Sequence, residues 1–223
     1  MIPPIGGWPA DDDSPTVLIG LTCPIGCGKS TVAGMLGEIG GTVIDADELS
    51  RVATALDGAA LPEIRQRFGD RVFDAQGGLD RAALAALVFA DAEALAGLER
   101  IIHPRVRVLV EEAVERATRD RVPFVVIEAI KLVEGGLAGR CDEVWIVDCS
   151  PATQRARLRG RGTQSDDIER RLSTQGDDLA ARLAAQLADR VPVQRLSTEG
   201  SLDETRELVE ELLAGALDRP RAR

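Results

Sequence analysis

Apolar and polar residues alternate along this chain in blocks. Residues 17–23, VLIGLTC, form an apolar run with β-branched members, followed by a Pro/Gly turn and then KSTVAGMLGEIG at helical spacing. The pattern predicts strand, loop, helix. Gly40 and Gly41 end that helix, and TVIDAD follows as a second strand carrying two carboxylates to its C-terminal end. FVVIEAI at 124–130 and EVWIVDC at 143–149 read as strands buried on both faces. Nearly continuous apolar strands separated by helices imply a parallel sheet covered on both sides, an α/β fold.

The long stretch between the second and third strands is helical in pattern. LDRAALAALVFA starts at a capping candidate, Asp80, and PRVRVLVEEAVERATRD starts at Pro104, a residue favoured in the first helical turn. Val106, Leu109, Val110, Ala113, Val114 and Ala117 give the second of these helices one apolar stripe. The insertion reads either as a cap over a second substrate or as packing alone. A last amphipathic helix spans roughly 201–217, and DRPRAR trails off as a basic tail. The opening MIPPIGGWPADDDSPT has neither a basic start nor an apolar stretch of signal length, and reads as a flexible leader. No apolar run approaches the ~20 residues that span a bilayer.

Composition narrows the chemistry. A chain of 223 residues, 44% hydrophobic and 29% charged, supports one compact domain with a real core. Its net charge of −10 argues against nucleic acid and against a membrane surface as partners. Of the 27 basic residues all but Lys29 and Lys131 are Arg, His103 is the single His, and Tyr is absent. One imidazole cannot build a His-rich zinc site, and 3% aromatic content excludes a base-stacking platform. The four cysteines, 23, 27, 141 and 149, form no C-x-x-C pair, which fits a reducing cytoplasm.

After the first strand the chain reads CPIGCGKST. Gly26, Cys27, Gly28, Lys29, Ser30 and Thr31 match the second half of the phosphate-binding loop G-x-x-x-x-G-K-[ST], placed between strand and helix. Glycines let backbone N–H groups converge on phosphate oxygens and the helix N-terminus adds positive potential. Lys29 reaches the outer phosphates, and the Ser30 hydroxyl can ligate Mg²⁺. An Arg-rich chain that keeps Lys here selects a compact ammonium over a planar guanidinium. The first Gly of the motif is replaced by Cys23, followed by Pro24; a negative φ at Cys23 accommodates this. Cys23 and Cys27 are either small space-fillers or an oxidation-sensitive pair beside the phosphates.

Asp45 and Asp47 stand at the end of the second strand, on the edge where open parallel sheets bind ligands. If the strand continues, both point the same way, and one can accept the proton of an attacking hydroxyl. The alternative is that they cap the next helix.

IGLTCPIGCGKSTVAGMLGEIGGTVIDADELSR, FGDRVFDAQGGLDRAALAALVF, LERIIHPRV and VDCSPATQRARLRGRG together resemble dephospho-coenzyme A kinase, over about residues 18–214. The resemblance implies a three-layer P-loop kinase fold: a five-stranded parallel sheet with helices on both faces, a helical acceptor (CoA) domain and a mobile lid. It implies a leader at 1–16 and a nucleotide-binding core at 17–57, 122–153 and 176–217. The acceptor-binding insertion then falls at 58–121, the lid at 154–175 and the tail at 218–223. It further implies ATP and Mg²⁺ as cofactors, with phosphoryl transfer to the ribose 3′-hydroxyl of dephospho-CoA as the last step of CoA biosynthesis, in a cytoplasmic monomer or weak homo-oligomer.

Residue by residue, the resemblance makes Asp47 the catalytic base with Asp45 in support, and Lys29 and Arg157 its catalytic partners. Arg81 and His103 line the acceptor site, although His103 equally fits a helix cap beside Pro104. Glu128 joins Ser30 at the metal. The span 154–171 holds six Arg and three acids, a local net of +3, and Arg157 and Arg161 match the recurring lid pattern that binds ATP. Arg155 and Arg159 read as a solvated helix face with i,i+4 pairing, and Arg171 and Gln175 match a later lid segment. The chain departs from the family at Ile130 and Lys131, and at Thr198, which stands about where the family has Asn. A kinase for another nucleotide or small alcohol, or a non-catalytic nucleotide-binding regulator, are the competing functions.

Overall fold

The computed structural model describes residues 16–176 and 178–219. The expected leader other than Thr16, and the last four residues of the expected tail, lie outside the described residues. The chain begins with β1 (Val17–Thr22), α1 (Lys29–Ile39), β2 (Thr42–Asp45), α2 (Ala46–Ala53), α3 (Leu61–Phe68) and α4 (Arg81–Ala90). It continues through α5 (Ala92–Arg119), β3 (Phe124–Glu128), β4 (Glu143–Asp148), α6 (Pro151–Gly160) and α7 (Ser165–Gln175). It ends with α8 (Leu179–Leu187), β5 (Val193–Ser197) and α9 (Leu202–Asp218).

The five strands form one parallel sheet in the order β2-β3-β1-β4-β5. Alternation along the buried strands divides the core in two. Val17, Ile19 and Leu21 of β1, Phe124 and Val126 of β3 and Trp145 and Val147 of β4 meet α1 and α9 on one face. Val125, Ile127, Val144 and Ile146 meet α5 and α8 on the other. Such double coverage explains why β1, β3 and β4 read as continuous apolar runs. Gly41 lets β2 start close to the sheet, since a Cβ there would lie 2.1 Å from Cε2 of Phe124. β5 escapes the apolar pattern because it is an edge strand, with Arg195 and Ser197 exposed.

Two predicted boundaries are corrected. The second strand stops at Asp45, two residues before the end of TVIDAD, because the Asp45 carboxylate accepts from the N–H groups of Asp47 and Glu48 and turns the chain into α2. Asp45 and Asp47 therefore do not share one extended segment. The helix expected to start at Pro104 starts at Ala92, capped by Asp91, and runs through Pro104 for 28 residues. An internal Pro forfeits a backbone bond at a cost of about 3 kcal/mol. Burial on both sides offsets this: Ala94 joins a cluster with Ile64, Phe68, Leu84 and Val88, while Val106, Val110 and Ala117 pack on the sheet. Asp80 caps α4 as predicted, accepting from the N–H groups of Ala82 and Ala83.

The register positions the site. Leu21 and Asp45 both pair with Glu128, so β1, β2 and β3 end together and present their C-terminal residues at one edge.

Candidate active site

Between β1 and α1 the chain folds into a loop whose shape needs its glycines. Gly26 and Gly28 have φ of +81° and +93°, in the left-handed region that disfavours other residues. Gly26 is also crowded, since a Cβ there would approach the carbonyl oxygen of Gln154 to 3.2 Å. Cys23 keeps a negative φ, as its replacement of Gly requires. α1 starts at Lys29 with no side-chain cap, leaving its first N–H groups facing the loop. Thr31 is exposed in this first turn, and its N–H donates to the Gly28 carbonyl at 3.0 Å.

Three chain segments hold the loop from outside. Gln154 of α6 donates through Nε2 to the Ile25 carbonyl (2.9 Å), and Gln175 of α7 accepts from the Ile25 N–H (2.9 Å). The Thr198 hydroxyl, just past β5, donates to the Cys27 carbonyl (2.7 Å). Arg157 of α6 bridges the same point, donating to the hydroxyl and carbonyl oxygens of Thr198 at 2.9 and 2.6 Å. Thr198 was noted in the sequence only as a departure, and its role depends on contacts across more than 170 residues. Gln154 and Gln175 likewise carry no local signal for their contact with Ile25.

The charged centre lies where the three strands end. Lys29, 8% exposed, places Nζ 3.0 Å from Oε1 of Glu128 and 3.3 Å from Oδ2 of Asp47. The Ser30 hydroxyl donates to the same Glu128 oxygen at 3.0 Å. Asp47 is held from a third side by the Ile130 N–H at 3.3 Å. One buried ammonium thus pairs with two carboxylates, which keeps all three charged groups satisfied. Asp45 is exposed, with its carboxylate committed to capping α2.

Asp47 also faces a cavity of about 210 Å³ between α2, α5 and the segment after β3, lined further by Leu95, Ile102, His103, Lys131 and Leu137. His103 sits mid-way along α5, so the helix-cap alternative is set aside. Burial lowers its pKa below the usual imidazole value; Lys131 and Arg107 push the same way, against Glu99 and Glu134. Lys131 pairs with Glu99 at the rim of this cavity. Arg81 is elsewhere: it donates to the Thr54 hydroxyl at 2.9 Å at the end of α2 and does not line the cavity.

α6 and α7 pack on each other through Leu158, Ile168 and Leu172, with Ile25 of the loop against them. Arg155 forms a two-pronged pair with Glu169 across these helices at 2.8 and 2.9 Å, in place of the expected i,i+4 partner. Arg161 is exposed at the C-terminal cap of α6, and Arg171 pairs with Asp167. Burial raises the Cys23 thiol to about 11, so this side chain behaves as a small apolar filler.

Against known proteins, the family model described as dephospho-CoA kinase matches residues 17–193. The chain belongs to the dephospho-CoA kinase family. It is an ATP-dependent kinase of the P-loop fold. The dephospho-CoA kinase of Rhodopirellula baltica is 35% identical over 91% of this chain and 92% of its own length. That of Bordetella pertussis is 44% identical over 69% of this chain and 71% of its own. Among solved structures, TT1252 from Thermus thermophilus superposes with a TM-score of 0.72 at 31% identity, covering 91% of this chain and 98% of that one.

Proposed function

We propose that the protein transfers the γ-phosphoryl group of ATP directly to the ribose 3′-hydroxyl of dephospho-CoA, giving coenzyme A and ADP. One observation carries this: Asp47 touches Lys29 of the phosphate loop and also lines the cavity, so a single carboxylate joins the donor and acceptor sites. In this reading ATP phosphates lie on the loop of Gly26, Cys27, Gly28, Lys29, Ser30 and Thr31, and Lys29 exchanges a carboxylate for phosphate oxygens. Asp47 takes the proton of the 3′-hydroxyl as its oxygen attacks phosphorus and the bond to the leaving ADP breaks. Asp45 supports Asp47 by holding its backbone N–H, at 2.9 Å. The cavity takes the acceptor, with His103 and Lys131 at its wall and Arg81 bracing α4 against α2.

Among the described residues no cluster of three or more His, Cys, Asp or Glu is arranged to hold a metal alone. The donors present, the Ser30 hydroxyl and the Glu128 carboxylate, are hard oxygens that fit Mg²⁺ completed by phosphate and water. When bound, the ion would neutralise charge on the β- and γ-phosphate oxygens. Residues 154–175 serve as the lid, where Arg157 and Arg161 offset charge on the transferred group. The segments 17–57, 122–153 and 176–217 serve as the nucleotide core, and 58–121 as the acceptor insertion, whose last helix also packs on the sheet.

All these groups lie on one chain, so a monomer or weak homo-oligomer suffices. Free cysteines at 23, 27, 141 and 149 support a reducing cytoplasm as the working compartment, and among the described residues no helix is long and apolar enough to cross a membrane. The test is incubation with Mg-ATP and dephospho-CoA, with CoA detected by mass. ATP binding without CoA would reject the acceptor and favour another alcohol.

A further inference from the structure

All four cysteines are free, and two of them meet at the phosphate loop. Sγ of Cys149, the first residue past β4, lies 2.9 Å from Sγ of Cys27. That is inside ordinary sulfur contact and within about 1 Å of the S–S bond length of a disulfide. The pair is 122 residues apart in sequence and brought together by the parallel register of β1 and β4. Cys27 is fully buried and Cys149 half-buried, so one sulfur is open to attack and the other waits behind it.

We propose that Cys27 and Cys149 are a thiol–disulfide modification site, at which a low-molecular-weight disulfide reversibly switches off nucleotide binding. This rests on the reading of the loop as the ATP site. Of the two readings left open for Cys23 and Cys27, the structure makes Cys23 a filler and gives Cys27 a different sulfur partner, Cys149. Cys23 and Cys141 are buried thiols raised to about 11 and about 12, and stay protonated. Cys149 is lowered by its hydrogen bond to Cys27 and by the charge of Arg157, against burial and the carboxylates of Glu199 and Asp148; Cys27 is raised. Cys149 is therefore the sulfur that ionises first and attacks.

The chemistry balances as an exchange. The Cys149 thiolate attacks one sulfur of the small disulfide, breaking its S–S bond and releasing one thiolate, which takes up the proton. With Cys149 held in the mixed disulfide, its hydrogen bond and charge no longer raise Cys27, and the Cys27 thiol gives up its proton and attacks Sγ of Cys149, expelling the second small thiol. Two protein thiols are oxidised and one small disulfide is reduced to two thiols. Closing the bond draws the two sulfurs together by about 1 Å and so displaces the loop residue between Gly26 and Gly28. The Cys27 carbonyl carries the strain onward to Thr198 and Arg157.

The experiment treats the full-length protein with oxidised glutathione, then maps disulfides by mass and titrates a fluorescent ATP analogue. The expected result is a Cys27–Cys149 cross-linked peptide, analogue affinity about 10-fold weaker or more, and recovery with dithiothreitol. Cys149→Ser should bind the analogue like the untreated protein and ignore the oxidant. A cross-link between other cysteines, arrest at a mixed disulfide, no reaction, a cross-link with unchanged affinity, or equal inactivation of Cys149→Ser would each overturn the proposal. Because the readouts are mapping and nucleotide affinity, a reduced protein that binds ATP but makes no CoA would count against the acceptor assignment alone.

Discussion

Arg157 grips Thr198 by both of its oxygens, through Nη1 to the hydroxyl at 2.9 Å and Nη2 to the carbonyl at 2.6 Å. The hydroxyl in turn donates to Cys27, so an arginine of α6 and the phosphate loop share one threonine that is 4% exposed. The guanidinium is thereby pre-positioned over the loop, with Nη1 3.4 Å from where a Cβ on Gly28 would sit.

Thr198→Val should uncouple the two. It deletes the shared hydroxyl at nearly constant volume, leaving the Cys27 carbonyl without that donor and Arg157 with one acceptor. Loss of a buried hydrogen-bonding group costs about 1–3 kcal/mol, and kcat/KM for ATP should fall about tenfold while Thr198→Ser stays near wild type. Steady-state kinetics of the two variants decide it; equal activity in Thr198→Val would remove the role.

Asp47→Asn should keep the fold and lose turnover. The amide can still accept from the Ile130 N–H but cannot take a proton, so kcat should drop by ~10² or more. Binding of ATP, measured by calorimetry, should persist. Near-normal turnover would show that another group accepts the hydroxyl proton.

Lys131→Leu tests the departure at the cavity rim. Lys131 is the ammonium among the cavity-lining residues, paired with Glu99 at the surface. Dephospho-CoA carries a diphosphate, so removing this cation should raise its KM several-fold, by about 1 kcal/mol, with kcat nearly unchanged. A change confined to kcat would argue instead for a positioning effect on Asp47.

His103 should make stability depend on pH in a stated direction. Burial lowers its folded-state pKa below that of the unfolded chain, so the unfolded chain binds the proton more readily in the window just below the ordinary imidazole value of about 6.5. Its contribution is present above that value and lost as pH falls through the window. Between about pH 7.5 and 5.5 the urea midpoint of the wild type should fall more than that of His103→Gln. Equal falls would mean that His103 is not the group responsible.

Much of this architecture was legible in sequence because its signals are local. β1, β3 and β4 announce themselves by double-sided burial, and Gly28-Lys29-Ser30 by the backbone geometry a phosphate loop requires. Asp80 is recognisable as a cap because capping involves only the next three residues. The misjudged places have competing local and distant terms. Pro104 looked like a helix start, and packing on either side overrode it. Asp45 left two readings open, a carboxylate facing the ligand or a helix cap, and its bonds to the N–H groups of Asp47 and Glu48 decide for the cap. β5 has too little burial to declare itself.

Fold class, phosphate loop and the identity of its lysine follow from periodicity or steric need within short segments of the chain. That Asp47 meets Lys29 while facing the cavity, that Thr198 holds Arg157 and that Cys27 meets Cys149 are products of folding. Those relationships are set by strand order and register. A parallel sheet gathers the C-terminal ends of its strands at one edge, so the Thr198 hydroxyl reaches the Cys27 carbonyl 171 positions away, and nothing in the spacing along one chain encodes which ends will meet.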